Sequence, residues 1–142
     1  MFSIFWNGMY FNVIAEDRVK RTFFSKNPAF GFKRCALSEK IEKYFRGEKV
    51  EFDCEFELDL PEFTVRVLER VAKIPYGEIT TYGILAKELN TSSRAIGQAL
   101  RKNPVPVLIP CHRIVARSGI GGYSAGVEIK KALLRLEGVQ LP

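Results

Sequence analysis

Apolar and polar positions change rhythm several times along the chain. Residues 1–26 are rich in Phe, Ile, Val and Tyr and are broken at Ala15-Glu16-Asp17-Arg18, which predicts strands joined by a turn. Leu37, Ile41, Tyr44 and Phe45 recur at helical spacing before the stop signal Gly47, so a short amphipathic helix is expected. Phe52, Cys54, Phe56, Leu58 and Leu60 then alternate with acids, the period of a strand with one face inward. Cys54 falls on that apolar face as a small core residue. Pro61 marks a boundary. Beyond it, Phe63, Val67, Val71 and Ile74 line one helix face, and Pro75-Tyr76-Gly77 reads as a turn. Thr80 is placed to cap a helix holding Ile84, Leu85 and Leu89. Asn90-Thr91-Ser92-Ser93 offers a polar turn and caps for another helix, with Ile96 and Leu100 inward. Two short helices across a tight turn predict a helix-turn-helix, whose second helix usually meets DNA. The expected class is α+β. An N-terminal support subdomain over residues 1–60, with a small mixed β-sheet and a helix, precedes a mainly helical C-terminal domain over residues 61–142.

Composition narrows the picture. Apolar residues make up 46% of 142, enough to bury a core and too many for a disordered chain. No apolar run has the length of a membrane span, so no membrane partner is expected. The first ten residues lack a basic n-region and a small-residue cleavage site. The expected location is therefore cytoplasmic, nucleoid-associated, or nuclear in a eukaryote. Cys35, Cys54 and Cys111 are odd in number and widely spaced, with one His and no Cys-x-x-Cys pair. That argues against a metal site and for reduced thiols. The net charge of +6 is one-sided. Residues 1–60 carry ten basic and ten acidic side chains, and residues 61–142 carry twelve and six. Between Leu89 and Val127 stand Arg94, Arg101, Lys102, Arg113 and Arg117 with no acid, a local field suited to a polyanion. Arg94, Arg101 and Lys102 fall on the second helix of the pair, where small Ala95, Gly97 and Ala99 would permit close approach to a groove.

The chemistry concentrates in Asn103-Pro104-Val105-Pro106-Val107-Leu108-Ile109-Pro110-Cys111-His112-Arg113. Three prolines predict a stiff segment with extended neighbours. Arg113 and the basic field would favour the thiolate of Cys111, its reactive form. The only histidine stands beside it and is placed to take the proton. Neighbours in an extended segment point to opposite faces, so His112 reaches the Cys111 sulfur only if the chain turns there or a water bridges them. A bare Cys-His pair is more often an inert buried thiol beside a surface histidine. A cysteine hydrolase fits poorly, since it draws its histidine from far along the chain and needs an oxyanion hole.

Pro110-Cys111-His112-Arg113, preceded by Asn103-Pro104-Val105-Pro106 and followed by Gly122-Tyr123-Ser124, closely resembles the O6-alkylguanine-DNA alkyltransferase family over roughly residues 61–138. The resemblance implies direct-reversal repair, with the alkyl group of O6-alkylguanine moved irreversibly onto Cys111 and no cofactor. O4-alkylthymine stays open as a second substrate. It implies His112 as base through a water, Glu137 behind it, and Asn103 tying the active-site turn by hydrogen bonds. Tyr82 takes the place of the tyrosine that donates to guanine N3. Arg94, after Ser93, takes that of the finger filling the gap left by a flipped nucleotide. Tyr123 and Ser124 form the lid, and the carbonyls of Cys111 and Ile114 accept from the guanine amino group. The implied partner is double-stranded DNA, met in its minor groove by the second helix of a monomer. Two positions depart from many members: Ala125 stands where glycine is common, and Gln98 is bulkier than the small residue of some.

Two other readings compete. Alkyltransferase-like lesion sensors keep the pocket and the finger but carry tryptophan at the acceptor position, where this chain has Cys111. A helix-turn-helix regulator that senses alkylating agents through a cysteine would show sequence-selective DNA binding, and this chain has no paired resolving cysteine.

Overall fold

The computed structural model describes residues 1–141, so the last residue of the expected 61–142 domain lies outside them. It is an α+β chain. Strands β1 (Phe2–Trp6), β2 (Met9–Ala15) and β3 (Val19–Ser25) form an antiparallel sheet in that order. The first hairpin turns at Asn7-Gly8, both with positive φ (53° and 77°). Those angles match the right-handed twist of the strands, which explains the Asn-Gly pair. Helix α1 (Ala36–Phe45) lies on the sheet, with Phe45 stacked on Trp6 at 4.8 Å and edge-on to Phe11 at 5.5 Å. Its Tyr44 is wholly buried.

Residues 52–60 alternate in burial as expected but do not join the sheet as a strand. Contact is a single parallel bridge, Val19 to Phe56, through Val19 N–H to the Glu55 carbonyl and Glu57 N–H to the Val19 carbonyl, both 2.9 Å. The sheet is thus antiparallel rather than mixed. The apolar side chains of this segment turn inward, while Asp53, Glu55 and Glu57 reach Lys40, Arg18 and Lys20 at the surface. Side-chain alternation sets the face of an extended segment, and backbone pairing needs an aligned edge as well.

Helix α2 (Glu62–Val71) opens the second half. The two-residue strand β4 (Thr80–Thr81) pairs in parallel with β5 (Ile114–Val115). Helix α3 (Tyr82–Glu88) follows, capped by Thr81 Oγ1, which accepts from Ile84 N–H at 3.1 Å. The cap is one residue later than expected because Thr80 pairs with Ile114. Residues 89–92 turn through left-handed Asn90 into α4 (Ser93–Arg101), where Ser92 Oγ accepts from Ala95 N–H at 3.1 Å. The Pro-rich segment is not extended. Ile109 N–H donates to the Val105 carbonyl at 3.0 Å, and Val107 takes φ of +74°, a strained region for a β-branched residue. The chain then makes a 3₁₀ turn at Cys111–Arg113 and enters β5, and α5 (Val127–Leu136) closes the fold. One continuous core links both halves, from Phe2 and Phe11 through Tyr44 and Val67 to Leu133. The Thr22 amide and hydroxyl add bonds to the carbonyls of Pro104 (2.9 Å) and Pro106 (2.8 Å).

Candidate active site

Cys111 begins the 3₁₀ turn and is nearly buried. Asn103 reaches it from the end of α4. Its Nδ2 donates to the Cys111 sulfur at 3.3 Å and to the Ile109 carbonyl at 3.0 Å, and its Oδ1 accepts from Val105 N–H at 3.0 Å. One amide therefore holds both ends of the Pro-rich loop. Burial pushes the thiol up from its ordinary value, against the opposing effects of the Asn103 hydrogen bond and the Lys130 charge. At rest Cys111 is a protonated thiol.

This corrects the expected role of Arg113. Its guanidinium is taken up elsewhere, donating to Glu137 Oε1 at 2.8 Å, to Oε2 at 3.1 Å and to the Ile74 carbonyl at 2.6 Å. The charge that acts on Cys111 belongs to Lys130, which the sequence pattern hides on the inner face of α5. Lys130 is fully buried, with Nζ donating to the carbonyls of Ile114 (2.6 Å) and Gly122 (3.0 Å). Burial lowers its pKa to about 8.

Behind the thiol, Glu137 caps α5 and gathers five hydrogen bonds. Oε2 accepts from Tyr44 Oη at 2.5 Å, His112 Nε2 at 2.6 Å and Arg113; Oε1 accepts from Arg113 and from Gly77 N–H at 3.0 Å. Burial opposes the charge of Glu137, but the His112 and Arg113 hydrogen bonds, the Arg113 charge and, once acid protonates it, the His112 charge outweigh it and bring the carboxyl down to about 2. Burial pushes the His112 pKa down despite Glu137, so the imidazole is neutral. With Nε2–H assigned to the carboxylate, Nδ1 carries the free lone pair. Nδ1 is buried and has no partner among the described residues. The turn at 111–113 thus resolves the opposite-face problem: His112 points inward to Glu137 and keeps a proton-accepting nitrogen free.

A cleft of about 690 Å³ opens over Cys111. Tyr82, the first residue of α3, forms one wall, and Gly122, Tyr123 and Ser124 form another. A Cβ at Gly121, whose φ is +76°, would lie 3.0 Å from Tyr82 Oη and Cε2 and 3.2 Å from Ala116 N, so only glycine lets the lid segment meet Tyr82. The Tyr123 hydroxyl is buried without a partner among the described residues. Ser93, Arg94, Gly97 and Arg101 on α4 form the rim; Lys102 is exposed at the C-cap and Ala95 half-buried, and neither lines the cleft. The Ile114 side chain is in the core, and its carbonyl carries the Lys130 bond.

An α+β protein with a buried cysteine under a basic helix, backed by an imidazole–carboxylate pair, belongs to the class that uses a thiol as nucleophile beside a polyanion. Residues 62–139 match the family model of the 6-O-methylguanine DNA methyltransferase DNA binding domain. The chain is 47% identical over 146 aligned residues to a methylated-DNA–protein-cysteine methyltransferase of Archaeoglobus fulgidus, covering 98% of this chain and 99% of the relative. Its fold is similar to Mycobacterium tuberculosis OGT solved in complex with DNA, with TM-score 0.81 and 30% identity over 99% of this chain and 93% of that one. It is also similar to the O6-methylguanine-DNA methyltransferase of Pyrococcus kodakaraensis, with TM-score 0.78 and 31% identity over 96% and 97%. The chain belongs to the O6-methylguanine-DNA methyltransferase family.

Proposed function

We propose that the chain repairs O6-alkylguanine in DNA by moving the alkyl group onto Cys111, once per molecule. The observation that carries this is the nearly buried Cys111 thiol on the floor of a cleft rimmed by basic α4, in a chain so similar to methylated-DNA–protein-cysteine methyltransferases. The thiol proton passes to His112 Nδ1 through a water, and Glu137 stabilises the imidazolium. The sulfur forms its bond to the alkyl carbon as the carbon–O6 bond breaks in line. Tyr82 donates to the guanine leaving group and the Ser124 amide stabilises the developing charge on O6. The products are guanine and a thioether, and a thioether offers no leaving group for a return step.

Helices α3 and α4 serve as the helix-turn-helix, with α4 in the minor groove. Added bulk at Gly97 would meet open space, which leaves room for a DNA backbone. A base inside the duplex must be flipped out at a cost of a few kcal/mol, and exposed Arg94 fills the gap. Residues 61–142 act as the DNA-binding and acceptor domain of a monomer, braced by residues 1–60.

Incubation with duplex DNA holding O6-methylguanine should add one methyl per chain, on the peptide containing Cys111, by intact and peptide mass. Cys111→Ser should take none and still bind DNA. Repeated turnover on excess substrate would overturn the proposal.

A further inference from the structure

We propose that Tyr44, from the N-terminal half, is a positioning residue that restrains the proton relay. Its phenol draws on the Glu137 oxygen that His112 also uses, keeping His112 a weaker base. This rests on the relay described above. Tyr44 Oη donates to Glu137 Oε2 at 2.5 Å, and His112 Nε2 donates to the same oxygen at 2.6 Å. The two donors lie 3.3 Å apart and compete for one carboxylate charge. A carboxylate shared among several donors supports a neighbouring imidazolium less well than one left to it alone.

The groups facing this cluster come from every element around it. Tyr44 enters from α1 and Glu137 from the end of α5; His112, Arg113 and Cys111 sit on the 3₁₀ turn. Lys130 on α5 and Tyr123 on the lid also bear on its charges, since they influence His112 and Tyr44 respectively. Tyr76 stands edge-on to Tyr44 at 6.0 Å and bonds the carbonyls of Gly47 and Leu136. Arg113 already neutralises Glu137, so Tyr44 is not needed to satisfy the carboxylate. Without the phenol, Oε2 keeps His112 and Arg113. What the phenol changes is the charge left for His112. The purpose follows from single use: a thiolate exposed at rest would be spent on the wrong electrophile. Burial keeps Cys111 protonated and Tyr44 keeps its proton acceptor weak.

Tyr44→Phe isolates the hydroxyl, because the ring contacts with Phe45 (5.5 Å), Phe52 (5.8 Å) and Tyr76 are kept. His112 is the only histidine in the chain, so its titration is read directly by NMR on tag-free, ¹⁵N-histidine-labelled protein. The variant should raise the His112 midpoint by roughly one pH unit. It should also lower the pH at which Cys111, followed on its own peptide, reacts with iodoacetamide. An unchanged or lowered His112 midpoint overturns the proposal. In a Glu137→Gln background the same substitution should have no effect, and a shift that persists there also overturns it. Should Tyr44→Phe fail to fold, 3-fluorotyrosine at position 44, a more acidic donor, should lower the midpoint; an unchanged or raised value counts against the restraint. These titrations need no alkylated DNA. A chain that took no methyl yet showed them would sink the function reading and leave the role of Tyr44 standing.

Discussion

Glu137 is the residue on which most of the site depends, and its environment sets how the protein meets acid. The folded carboxyl, at about 2, lies below its ordinary 4.5. It therefore contributes stability that is fully present above about pH 4.5 and is lost as pH falls towards 2. The drop is worth roughly 3 kcal/mol. His112 works in the same direction. Its folded value lies below the ordinary 6.5, so the unfolded chain takes up a proton that the folded chain resists, and stability declines once pH falls below about 6.5. Glu137→Gln removes the charge and strands Arg113 and Tyr44, an uncompensated arrangement that costs about 3–5 kcal/mol near neutrality. Urea unfolding at several pH values should show wild type losing stability towards acid. The Glu137→Gln curve should start lower and converge with it. Parallel curves would mean that Glu137 does not carry the acid sensitivity. Little of this was legible beforehand. Glu137 entered through a motif resemblance, Tyr44 read as one more apolar helix position, and Lys130 is a basic residue on an ordinary amphipathic helix. Tyr44 and His112 reach Glu137 across 93 and 25 positions, and Lys130 reaches carbonyls 16 and 8 positions before it, contacts that no helical or strand period records.

At the scale of elements, α3 and α4 separate stability from function. Ser92 caps α4 through the Ala95 amide, and its loss to Ala should cost about 1 kcal/mol, read as a lower melting temperature. Arg94, two residues on, is exposed. Arg94→Ala should leave the melting temperature nearly unchanged. It should slow repair of O6-methylguanine in a duplex far more than reaction with free O6-benzylguanine, which needs no flipping. Equal losses on both substrates would make Arg94 a structural residue. These helices were legible because their signals are local: inward Ile96 and Leu100 at helical spacing, a polar turn, a serine cap. The elements misread are those decided by pairing. Thr80 serves a strand and not a cap because Ile114 lies beside it, and residues 52–60 alternate correctly but bridge the sheet at one residue. Likewise, the three prolines predicted extended neighbours, but Asn103 folds the segment back on itself.

The whole molecule raises a question that the sequence boundary at Pro61 cannot answer: whether the halves melt together. The charge pattern and the change from strands to helices divide the chain there. The packing does not respect that line. A single core runs from Phe2 to Leu133, Tyr44 of α1 ends on Glu137 of α5, and Thr22 of β3 bonds the loop that leads to Cys111. Neither half is large; a domain this size holds only about 5–15 kcal/mol in all, and removing shared buried surface would leave either part marginal. Cooperative unfolding is therefore expected, and the chain supplies its own probes. Trp6 is the only tryptophan and stacks on Phe45, so its fluorescence follows the N-terminal half. Four of the five α-helices lie beyond Pro61, so far-ultraviolet circular dichroism mainly follows the other half. Urea titrations by the two signals should coincide in midpoint and slope, as two-state unfolding requires. Two separated transitions, with Trp6 released first, would mean that the sheet and α1 detach while the acceptor domain stays folded. In that event the Tyr44 bond to Glu137 would be made and broken in the native state rather than built into it.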